Sequence, residues 1–127
     1  MATTITQGRA GTKKTRLNVI DQTTAHSIPA EHCDGNHVYT NAGASATRIF
    51  TLPAATAGMS IRFCVMAVQV LTVAPATGET LVTVATGAAG TANQTLSADA
   101  VGENLELFCV SAGAWQVKSY IGTWTLA

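Results

Sequence analysis

From His37 onward the chain is a succession of short apolar runs alternating with period two, each of four to seven residues and each closed by a turn signal. That spacing leaves no room for a helix of ordinary length and confines the chain to an all-β fold. The runs are residues 37–40, 47–52, 60–66, 68–74, 80–85, 104–110, 114–120 and 123–126. They are punctuated by Asn41-Ala42-Gly43, Ala57-Gly58, Thr77-Gly78, Gly87-Ala88-Ala89-Gly90 and Ala112-Gly113. The best helical stretch, 97–106, has a capping residue in Ser97 or Asp99, but Gly102 interrupts it within a turn. Short turn structure is expected there.

Side-chain parity follows from the same period. In 60–66, Ile61, Phe63 and Val65 share one face and Arg62, Cys64 and Met66 the other; in 104–110, Leu105, Leu107 and Cys109 oppose Glu106, Phe108 and Val110. With both faces largely apolar, the expected architecture is a compact antiparallel β-sandwich or barrel-like domain. Composition adds a constraint. Only 11% of the residues are charged, against about 25% in an ordinary domain, while 22 Ala and 20 Thr fill a third of the 127 positions. Large apolar side chains are few and concentrated after residue 47, so burial shared between subunits is expected. Ile61, Phe63, Val65, Leu105, Leu107, Trp115, Val117 and Trp124 are the expected core or subunit-packing residues. A lone Trp on a short strand more often fills a thin core than binds sugar.

Residues 1–37 have a different texture and are read as an extended N-terminal arm and linker, with the β domain at 38–127. Seven cations balance seven acids over the whole chain, yet Arg9, Lys13, Lys14 and Arg16 all precede the first acid, Asp21. The run Leu17-Asn18-Val19-Ile20 is suited to adding a strand to a neighbouring sheet. A zero net charge and the lack of an aromatic stacking platform favour an acidic protein surface over nucleic acid as the arm's partner. No apolar segment marks a leader peptide or a membrane span, so synthesis and folding in a cytosol are expected, with no membrane partner.

Chemistry-bearing residues cluster only in the linker, where His26, His32, Cys33, Asp34 and His37 lie close in sequence. Imidazole and thiolate ligate zinc, but the spacing forms no pair of close ligand pairs, and adjacent His32 and Cys33 point apart in an extended chain. His26, His32, Cys33 and His37 are weak metal candidates, and a polar loop is the favoured reading. No cofactor is expected. The serines lack a nucleophile elbow, Cys33 lacks an oriented base, the acids Glu79, Asp99, Glu103 and Glu106 lie in turn-like or exposed contexts, and Gly87-Ala88-Ala89-Gly90 lacks a phosphate-binding Lys-Ser/Thr. An enzyme is not expected. Cys64 and Cys109, inside apolar runs, read as small buried hydrophobes.

Three elements in order carry a resemblance. Phe50-Thr51-Leu52-Pro53-Ala54-Ala55-Thr56-Ala57-Gly58, preceded by Asn41-Ala42-Gly43-Ala44-Ser45, is followed by Gly102-Glu103-Asn104-Leu105-Glu106-Leu107 and then, through Ala114-Trp115-Gln116-Val117, by Gly122-Thr123-Trp124. Residues 38–126 thereby resemble a small β module of tailed-phage virion proteins, found in capsid decoration (cement) proteins, head fibres and some tail-associated proteins. The resemblance implies a non-enzymatic, homotrimeric virion component located on the outer capsid surface. The expected role is a decoration protein that binds and stabilises the assembled shell. Its expected partners are further copies of itself, the major capsid protein and other virion proteins. Arg9, Lys13, Lys14, Arg16, Leu17, Val19 and Ile20 are the expected capsid-binding arm. The alternative is a head-fibre or tail-fibre module that recognises a host surface.

Overall fold

The computed structural model describes residues 16–83 and 90–127. It is a sandwich of two sheets. The strands are β1 (Asn18–Asp21), β2 (His26–Ser27), β3 (Asp34–Thr40), β4 (Arg48–Thr51), β5 (Ser60–Cys64), β6 (Leu71–Ala74), β7 (Thr80–Val82), β8 (Leu96–Ala98), β9 (Asn104–Ser111), β10 (Ala114–Ile121) and β11 (Thr125–Leu126), with one 3-10 turn at Ala30–His32. The order is β1-β3-β5-β9-β10-β7 in the six-stranded sheet and β11-β8-β6-β4-β2 in the five-stranded one.

The chain changes sheet at almost every step. From β1 to β9 the odd strands lie in one sheet and the even strands in the other, and only β9 and β10 form a hairpin within a sheet. The first strands of each sheet pair in parallel, β1 with β3 and β3 with β5 on one side, β2 with β4 and β4 with β6 on the other, whereas β6 and β8 pair antiparallel. The all-β sandwich stands, but its sheets are mixed and not antiparallel throughout. The physical reason lies in the turns. Glycines at positive φ, such as Gly43 (80°) and Gly58 (96°), reverse the chain locally, yet they carry it across the sandwich rather than back along its neighbour.

Two boundaries also move. The sheets begin at Asn18, because β1 and β2 pair within this chain, so residues 18–37 belong to the sandwich and not to an arm and linker. Leu96–Ala98, within and just before the stretch expected to be a short turn, is a strand between β6 and β11.

The core runs continuously between the sheets. Tyr39, Phe63 and Leu105 stand in one cross-strand row and Ile61 and Leu107 in the next, all at most 1% exposed, facing Phe50, Leu71 and Val73 of the other sheet. Phe50 lies 5.9 Å from Phe63 and 5.7 Å from Tyr39 between ring centroids, spacings that favour tilted aromatic pairs. Each such side chain contributes about 1.5–3 kcal/mol on burial. Ile61, Phe63, Val65, Leu105, Leu107 and Trp115 are all enclosed by their own chain, with Val117 and Trp124 packed at the margin.

Candidate functional site

The linker cluster becomes a compact polar knot at one place in the sandwich. β2 supplies His26, the 3-10 turn His32, and β3 supplies Asp34, His37 and Tyr39. Tyr39 is fully buried, and its hydroxyl lies 2.6 Å from His32 Nδ1 and 3.4 Å from His26 Nε2. The His32 and His37 rings stack at 4.3 Å, and His37 Nδ1 lies 2.9 Å from Asp34 Oδ1. That hydrogen bond, with the Asn36 N–H, holds the Asp34 carboxyl below its ordinary range. Burial pushes the Cys33 thiol up to about 11, and the Asp34 charge adds to the shift. A buried thiol so raised stays protonated near neutrality and is a poor nucleophile.

The structure thus brings His26, His32 and His37 together and sets one ring nitrogen of each against a phenol or a carboxylate. Among the described residues no group of three His, Cys, Asp or Glu is placed to hold a metal ion. The cluster ties β2 and the 3-10 turn to β3, and so one sheet to the other. It reads as a buried polar joint that satisfies the hydroxyl of an otherwise apolar Tyr39.

The expected arm divides at residue 16. Arg9, Lys13 and Lys14 lie outside the described residues, whereas Arg16 is exposed immediately before β1. Leu17 and Val19 are 42% and 58% exposed on the outer face of the six-stranded sheet, and Ile20 packs inward against the core. This run does add a strand to a sheet, but to its own.

Across that outer face a row of register partners runs Val19, Val38, Arg62, Glu106 and Ser119. Glu106 is its one acid, with Arg62 Nε at 3.3 Å and Lys118 Nζ at 3.4 Å from the same oxygen. Parity alone places Arg62 and Glu106 outside; that they are opposite one another required the β5–β9 register. Beside the triad an open groove of about 510 Å³ is lined by Met59, Phe108, Val110 and Lys118. Cys64 also faces outward, half-buried, with its sulfur 3.7 Å from Met66 Sδ, whereas Cys109 is buried as expected.

At one end of the sandwich, the turns carry exposed Met66, Val68 and Val101, and β10 ends in exposed Tyr120 and Ile121, the most open being Val68 at 79%. Among the described residues no helix is long and apolar enough to cross a membrane. No protein-family model matches the chain, and no curated protein matches it either.

Proposed function

We propose that this protein is a non-enzymatic phage virion component, a capsid decoration protein that binds the assembled major capsid shell as a homotrimer. The observation that carries the reading is the position of the cationic segment, which ends at exposed Arg16 and leads directly into the edge strand of a closed sandwich. A subunit that binds only the assembled shell stabilises it by mass action, and several such segments on one oligomer act at high effective concentration. The order of the T-L-P-A, G-E-N-L and G-T-W elements supports the same reading through the module it resembles.

Since the large apolar residues are buried within one chain, self-association would use the outer faces or the loop end. Deleting residues 2–15 leaves β1 intact and removes three of the four cations. Its expected outcome is loss of binding to empty shells with an unchanged unfolding curve. Unchanged shell binding overturns the reading.

A second reading, host-surface recognition by a fibre module, is favoured by one feature. Tyr120 is 54% exposed, close in the chain to Ile121, at the loop end. Aromatic and apolar side chains at a tip suit a glycan or receptor surface. Retention of the protein on whole host cells, abolished by Tyr120→Ala, distinguishes this from shell decoration.

A further inference from the structure

We infer that β1 is an open sheet edge that accepts one added strand from an acid-bearing extended segment of another protein. The identification of that protein as the shell subunit rests on the reading above. Sheet edges are ordinarily blunted by shortness, cover, proline or lysine. The other edges here follow that rule. β2 and β11 have two residues each, and Gly90 approaches β7 so closely that a side chain there would strike the Leu81 carbonyl. β1 has four residues, no proline and no lysine, and among the described residues no strand pairs with its far side.

The free groups can be assigned. The Gln22 N–H donates to Thr40 O at 3.0 Å, so strand alternation turns Ile20 toward β3 as well. Val19 and Asp21 then direct their N–H and C=O groups to the open side. Thr40 Oγ1 donates to the Asp21 carboxylate, which is thereby drawn back over the sheet. An incoming strand would continue the outer row at Val19 and Val38, which calls for apolar or β-branched residues at alternate positions. Arg16, exposed two residues before β1, calls for acids at the end of the segment that passes it.

The test uses the full chain, labelled for NMR, and two synthetic peptides of alternating Thr and Val, with three Glu at the C-terminal end of one and at the N-terminal end of the other. Binding of one peptide is expected, with shifts concentrated at the amides of residues 17–22. Affinity should fall between about 50 and about 300 mM salt. Val19→Pro removes an outward N–H without touching the β1–β3 ladder, so it should weaken binding by about tenfold or more at an unchanged unfolding midpoint. Val19→Lys, which places a blunting charge on the edge, serves if the proline variant does not fold. Binding of neither peptide, shifts elsewhere, or unchanged binding by both variants overturns the inference. Self-association that depends on Val19 with no peptide binding also overturns it, since the occupant is then a second copy. Wild-type chain that binds a peptide but not shells overturns the proposed function and leaves the edge standing.

Discussion

The Thr123 N–H donates to Glu103 Oε2 at 2.6 Å, joining the turn before β9 to the turn before β11. Glu103 Oε1 also accepts from Ala100 N at 2.9 Å and Asp99 N at 3.2 Å, while Trp124 Nε1 donates to Asn104 O at 3.1 Å. Two sequence elements twenty residues apart are therefore one lock. Gly122 completes it: its φ is 92°, and a side chain there would run into the Glu103 carboxylate. What the G-E-N-L and G-T-W elements do in this chain is fasten the C-terminal strand, which is a structural task.

This lock should be acid-sensitive. The backbone N–H groups of Thr123 and then Ala100 hold the Glu103 carboxyl below its ordinary 4.5. The folded state therefore favours the charged form, so its contribution is complete above about 4.5 and is lost as the pH falls through the lower folded value. Urea midpoints of the wild type and Glu103→Gln should differ at pH 7 and draw together as the pH falls from about 4.5 through the lowered folded value. A constant difference would refute this.

Asn41 should be a costly polar side chain to lose. It is fully buried, its Oδ1 accepts from Met66 N at 2.8 Å and Ala67 N at 3.0 Å, and its Nδ2 donates to Gln69 O at 3.0 Å. Asn41→Ala leaves those backbone groups unpaired, at about 1–3 kcal/mol for each that water cannot reach. Chemical unfolding should show a loss on the order of 3 kcal/mol.

Trp115 is buried, and among the described residues its Nε1 has no hydrogen-bond partner. Trp115→Phe removes that donor together with part of the ring, so the two effects offset, and a change within about 1 kcal/mol is expected. Trp115→Ala should cost about 3–5 kcal/mol through the cavity it leaves. Equal losses for the two variants would mean that the indole nitrogen is satisfied in solution.

Thiol labelling should follow exposure. Native protein treated with iodoacetamide near pH 8 should be alkylated at Cys64, while Cys33 and Cys109, both buried, stay free until the chain is unfolded. Peptide mass spectrometry reads the order directly. Early labelling of Cys33 would show that the joint around Tyr39 opens readily.

Much of the sandwich is legible in single residues. The period-two parity of Ile61, Phe63 and Val65 against Arg62 and Cys64 is the parity of β5, and that of Leu105, Leu107 and Cys109 is the parity of β9. β8 escaped detection because Leu96-Ser97-Ala98 is too short to show a period, and its identity as a strand comes from pairing with β6. β2, with two residues, is invisible for the same reason. Of the candidate site, the proximity of His26, His32 and His37 could be read from the chain, but not the Tyr39 hydroxyl between two of them.

The sequence by itself determined that the chain is all-β, which faces of β5 and β9 are buried, and where the positive charge lies. These follow from local rules: alternation along a strand, turn chemistry at glycine and the plain order of residues. Only the tertiary structure decided that successive strands alternate between the sheets and pair there in a mixed pattern, that the large side chains close their core within one chain, and that Leu17 to Ile20 lies at an edge of its own sheet. Pairing partners are chosen by contacts between residues distant in the chain, and a turn that reverses the backbone does not specify which sheet receives the next strand.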